Sequence, residues 1–145
     1  MANLVNAEQV SIAFGTRVLL DQATLGLSSG EVIGVVGRNG DGKTTLLDIL
    51  TGKTTPDSGK VTHSNRLSLG YLSQLDDIRS ETSVRDAIVG GRPDHVWAAD
   101  AQARSLVRRF LGGIDLEART ARLSGGERRR VALVSVLLGD HDLLV

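Results

Sequence analysis

The chain has 145 residues, 41% of them hydrophobic and 23% charged, with 17 acidic side chains balanced by 17 Lys and Arg. Those proportions fit one ordinary globular domain rather than a disordered chain, and a formal net charge of zero excludes a long-range field that would recruit nucleic acid or an anionic membrane. The absence of cysteine excludes disulfides, thiolate metal sites and cysteine nucleophiles.

Taken in chain order, Leu4–Phe14 reads as a strand, followed by a turn at Gly15-Thr16-Arg17 and a second strand near Val18–Leu20. Glu31–Gly37 is a continuous apolar run ending in glycine, the pattern of a strand buried on both faces. Lys43–Gly52 has helical spacing, with the glycine just past its last turn. Thr55–Val61 is a turn cluster leading into a strand, and Leu67–Gln74 is another short strand. Ser83–Val89 and Val96–Leu111 carry apolar residues at three- and four-residue spacing and are expected to be helices, with Trp97 and Phe110 in their core. Arg122–Gly139 gives a loop and a long helix, and His141–Val145 begins one more buried strand.

This order predicts an α/β fold carrying a helical insertion. Its parts are a strand-rich region over 1–75, a helical region over 76–122, and a last helix with a strand start over 123–145. The longest apolar stretch, Val131–Leu138, is broken by Ser135 and falls short of the roughly 20 residues that cross a bilayer. The first residues have neither a basic nor an apolar leader segment, so the expected location is cytoplasmic, without membrane insertion.

Gly37-Arg38-Asn39-Gly40-Asp41-Gly42-Lys43-Thr44 matches the G-x-x-x-x-G-K-[ST] pattern, after an apolar run and opening a helix. Glycines let successive backbone N–H groups point inward at phosphate oxygens, and the helix start adds its positive end. The Lys43 ammonium is of the type that reaches β- and γ-phosphates, and the Thr44 hydroxyl can ligate Mg²⁺. The loop from Gly37 to Thr45 is therefore expected to cradle the phosphates of a nucleotide, with ATP and Mg²⁺ as cofactors. Asp41 conflicts with that chemistry, because a carboxylate repels phosphate. Its side chain is expected to point to solvent, so that Asp41→Ala raises ATP affinity or leaves it unchanged.

Leu123-Ser124-Gly125-Gly126-Glu127 resembles the signature sequence of ATP-binding cassette (ABC) proteins. Gln74 stands where that family has its Q-loop glutamine, and Phe14 where it has an adenine-stacking aromatic. Four landmarks in family order cover nearly the whole chain, which is identified on them as an ABC nucleotide-binding domain with the P-loop NTPase core. The resemblance implies that Phe14 stacks on the base and that Thr44 and Gln74 help hold Mg²⁺. It also implies that Ser124, Gly125, Gly126 and Glu127 complete the site of a second cassette arranged head to tail. Without the resemblance, Ser124 and Glu127 read as a helix capping box and Phe14 as ordinary core. Arg128–Arg130 fan around a helix and are expected to be solvated rather than a nucleic-acid stripe.

The wording of Gly70–Gln74 and of Leu123–Leu133 resembles the ABC-F subfamily, soluble two-cassette proteins of which many act on the ribosome. The alternative is a fragment of the ATP-binding subunit of an ABC membrane transporter. In the family an apolar strand ends in an aspartate that orders Mg²⁺ and a glutamate that activates water. Asp142–Val145 resembles that strand just before both acids, so the domain is expected to be C-terminally incomplete, with no catalytic residue inside the chain. ATP binding with low turnover is then expected, and so is self-association of the isolated chain.

Overall fold

The computed structural model describes residues 2–73, 81–90, 93 and 99–145. They fall into two compact units, one built from Met1–Leu69 with His141–Leu143 and Val145, the other from Gly70–Asp140 with Leu144.

In the first unit, β1 (Asn3–Phe14), β2 (Arg17–Ser28) and β3 (Ser58–His63) form an antiparallel sheet in the order β2-β1-β3. The buried residues of β1 are Val5 and Ala7, then Val10 and Ile12, so the inward set changes parity between them. A one-residue slip would turn the second pair to solvent, and a bulge prevents it. Gln9 and the cross-strand Gln22 both adopt positive φ, 49° and 47°. Their amides, lost to the ladder, donate to the hydroxyls of Thr24 (3.1 Å) and Ser11 (2.9 Å). Gly59 of β3 sits against this bulge at φ 87°, where a Cβ would lie 2.3 Å from the Gln9 carbonyl oxygen, so only glycine fits. The same parity change explains why β2 is much longer than Val18–Leu20: no single period of two runs through it.

Helix α1 (Lys43–Leu50) lays Ile49 and Leu50 on the inner face of this sheet, beside Val5, Val10 and Ile12. At its end the His63 ring meets the Leu50 carbonyl at 2.8 Å, tying the helix to β3. Among the described residues of the strand expected over Leu67–Gln74, which exclude Gln74, only β4 (Leu69–Gly70) is strand, and it pairs with β5 (Leu143–Leu144). The Ser68 carbonyl accepts from the Asp142 and Leu143 amides, and the Ser68 amide donates to the Asp142 carboxylate at 2.9 Å.

Glu31–Gly37 is not the buried strand its composition suggests. It belongs to no ladder, and Val32 and Val36 are 99% and 93% exposed. A strand buried on both faces needs a neighbour on each edge and a layer on each side, and among the described residues none covers this segment.

The second unit is helical. Helix α2 (Val84–Val89) starts at Ser83, whose side chain accepts the Asp86 amide, and ends at Gly90 in the left-handed region. Helix α3 (Ala101–Leu111) is capped by Asp100. A 3₁₀ turn (Thr120–Arg122) leads into α4 (Gly125–Leu138). Val84, Ile88, Val89, Leu111, Leu123, Val131 and Val134 form its core, with Phe110 partly buried against it as expected. Trp97 lies outside the described residues.

Candidate functional site

The loop from Gly37 to Lys43 is positioned by β2 and α1. Arg17 and Leu19 both lie in β2, where a register shift between Val18 and Leu20 leaves Leu19 without a partner on β1. Leu19 backs Gly42 so closely that a Cβ there would meet the Leu19 Cβ at 3.3 Å, and Gly42 also has φ 87°. The Arg17 guanidinium lies 3.7–3.8 Å from where a Cβ on Gly40, at φ 89°, would stand. Glycine at 40 and 42 therefore follows from backbone conformation, and at 42 from close packing as well. Arg17 and Leu19 are the site residues that the sequence did not reveal, because nothing in a strand pattern tells which loop its face will meet.

Inside the loop, charged side chains satisfy the backbone. Lys43 Nζ donates to the carbonyls of Gly37 (2.9 Å) and Arg38 (2.7 Å). The Asp41 carboxylate accepts the Arg38 amide at 2.7 Å, while the Asp41 amide donates to the Arg38 carbonyl at 3.2 Å. The other Asp41 oxygen lies 4.0 Å from the Arg17 guanidinium. Asp41 is exposed, as expected, but its carboxylate also turns back onto its own loop. The reason is local, since a tight turn over 38–41 brings an acceptor within reach of an amide that no helix or strand uses. Arg38, Asn39 and Thr44 are exposed and Thr45 is half-buried.

The Arg38 amide is thus a donor that already meets an anionic oxygen, that of the loop's own Asp41, and Lys43 supplies a cation at the same loop. Phe14 is 58% exposed at the hairpin tip, opposite Arg17, and is not core. Gln74 lies outside the described residues. Among the described residues no group of three or more His, Asp or Glu gathers as a ready cation site.

The second unit carries Ser124, Gly125, Gly126 and Glu127 at the start of α4. Leu123 is anchored in the core, and Ser124 and Glu127 close a full capping box. The Glu127 carboxylate accepts from the Ser124 amide (2.8 Å) and hydroxyl (2.7 Å). These bonds, the hydroxyl's first, hold the Glu127 carboxyl below its ordinary pKa, and Arg130 adds to the effect. Gly125 and Gly126 face open space, with nothing within 4 Å of an added Cβ, and neither has positive φ.

Comparison with known proteins places these features in a family. The family model described as ABC transporter matches residues 20–145. The zinc import ATP-binding protein ZnuC of Roseobacter denitrificans is 34% identical over 99% of this chain, which spans 55% of that protein. The energy-dependent translational throttle protein EttA of Haemophilus influenzae is 31% identical over 98% of the chain, which spans 26% of it. Among solved structures, an archaeal ribosome recycling factor in complex with the archaeal ribosomal stalk protein superposes with a TM-score of 0.78 at 30% identity. That match covers 99% of this chain and 27% of the other.

Proposed function

The chain belongs to the ABC transporter family of ATP-binding domains, and on that premise we propose that it binds Mg·ATP through the loop from Gly37 to Thr45. The observation that carries this reading is the loop itself, in which an amide already holds an anionic oxygen beside the Lys43 ammonium. Lys43 exchanges its two carbonyls for phosphate oxygens, and the exposed Phe14 takes the base. Thr44 and Gln74 hold Mg²⁺, whose charge offsets that of the β- and γ-phosphates.

Gly125 and Gly126 support a head-to-tail second cassette. Glycine at the start of a helix costs about 1 kcal/mol relative to alanine, and this chain's own packing does not require it at either position. A phosphate approaching that helix start from another cassette would require it. Turnover by the chain alone is low, because among the described residues the only carboxylate at the loop is Asp41. Asp142 is engaged with the Ser68 amide. The exposed run of Val32, Ile33 and Val36 favours self-association of the isolated chain.

For the parent protein we propose an ABC-F-type ATPase acting on the ribosome, supported by the likeness to EttA and to the archaeal recycling factor. The second reading is the ATP-binding subunit of a transporter, favoured by the likeness to ZnuC. No helix among the described residues is long and apolar enough to cross a membrane, which suits both.

The test is a titration with a fluorescent ATP analogue and Mg²⁺, with phosphate release followed in the same samples. Saturable binding that weakens about 100-fold in Lys43→Ala, the scale of two lost charge-assisted hydrogen bonds, is the expected result. Binding unaffected by Lys43→Ala would refute the site. Co-sedimentation of the parent protein with ribosomes, against association with a membrane protein, separates the two settings.

A further inference from the structure

Two charged groups at the phosphate loop have no assigned role toward the nucleotide: the Asp41 carboxylate and the Arg17 guanidinium. We propose that Arg17 is a polyphosphate-binding residue and that Asp41 is the loop's internal competitor for phosphate, holding the Arg38 amide and Arg17 until a nucleoside di- or triphosphate replaces it. The inference rests on the proposed nucleotide site and adds to it an anion-binding residue on β2.

Three observations carry it. Asp41 spends one oxygen on the Arg38 amide at 2.7 Å, a donor of the type that phosphate uses. An arriving phosphate oxygen must displace that carboxylate, because one N–H cannot serve two anions at full strength. Second, Arg17 is already at the loop, its guanidinium beside the Gly40 backbone, while Leu19 of the same strand packs against Gly42. β2 therefore brings a cation to the loop from the same strand that packs against Gly42. Third, the tie between Arg17 and Asp41 is loose. It spans 4.0 Å, the two side chains are 65% and 47% exposed, and such a pair is readily exchanged.

A polyphosphate carries more charge than one carboxylate and offers the planar fork of oxygens that guanidinium matches. The exchange is therefore downhill for Arg17 once phosphate arrives. The displaced carboxylate then opposes the bound phosphate, so Asp41 lowers affinity and Arg17 raises it. A monophosphate has less charge to offer Arg17, so the pair favours ATP and ADP over AMP.

The experiment measures dissociation constants for Mg·ATP, Mg·ADP and AMP in the wild-type protein, Arg17→Ala, Arg17→Gln, Asp41→Ala and the double variant Arg17→Ala/Asp41→Ala. Thermal melting of each variant confirms that it folds. Arg17→Ala and Arg17→Gln are expected to weaken ATP and ADP about tenfold, with AMP changed less than about twofold. Asp41→Ala is expected to tighten ATP about fivefold. The decisive comparison is Arg17→Ala in the Asp41→Ala background. A persisting loss of ATP affinity means that Arg17 meets phosphate; a vanishing one means that it only neutralises Asp41, which overturns the proposal. Equal weakening of AMP and ATP also overturns it. Wild-type protein that binds no ATP removes the nucleotide site together with this inference, whereas normal binding with indifferent Arg17 variants removes the inference alone.

Discussion

The chain carries two glycine-bearing loops that each open a helix, and they use glycine for opposite reasons. At the phosphate loop, Gly40 and Gly42 have φ of 89° and 87°, and Gly42 lies against Leu19, so the fold of this chain demands them. At the start of α4, Gly125 and Gly126 have ordinary backbone angles and open space around them. The first loop is filled by its own Lys43 and Asp41, whereas the second leaves its glycines bare beside a satisfied capping box. A glycine that its own chain requires reports internal packing; one that its chain does not require leaves its helix start open to approach from outside.

Substitutions at the two loops test that contrast. Gly42→Ala forces a side chain into positive φ and against Leu19. It should cost about 1–3 kcal/mol in chemical denaturation and weaken ATP binding as well; a neutral result would remove the packing argument. Ser124→Ala breaks the capping box and should cost about 1 kcal/mol at neutral pH. Glu127 adds a pH signature to this box. Its folded pKa lies below the ordinary glutamate value of about 4.5, so its stabilisation is present above that value and is lost as pH falls through the lower, folded one. The stability gap between wild type and Ser124→Ala should therefore narrow below about pH 4.5. A gap that stays constant with pH would mean that the carboxylate contributes nothing.

Gly126→Ala should act in the other direction, stabilising the protein by about 0.5–1 kcal/mol as the helix start loses backbone freedom in the unfolded chain. If the glycine serves a second cassette, ATP-driven pairing of cassettes should fall at the same time. Stabilisation without any loss of pairing would leave Gly126 with no role beyond the helix. Val32→Thr should have the smallest effect, below about 0.5 kcal/mol, because the side chain is already in water. A cost of several kcal/mol would mean that 31–37 is covered in solution after all.

Legibility in the sequence follows the range of the interactions. The phosphate loop, the capping box at Ser124, and the spans of β1, α1 and α4 were readable because each is set within a few neighbouring residues. The departures concern longer-range facts. Glu31–Gly37 has the composition of a buried strand, but burial depends on neighbours, and none of the described residues supplies them. The bond from the Arg38 amide to the exposed Asp41 was not readable, because that amide becomes available only when the turn over 38–41 closes.

The amino-acid sequence alone determined the family, the phosphate-binding pattern and the helix caps, since glycine spacing, side-chain type and periodicity act locally and survive any arrangement of the rest. Only tertiary structure decided that a bulge at Gln9 and Gln22 keeps one face of β1 buried along its length, and that Gly59 must be glycine to sit on it. It alone brought Arg17 to Gly40, because strand pairing and the docking of α1 join positions that are distant in the chain. Such contacts depend on register and packing of whole elements, which no local stretch of residues encodes.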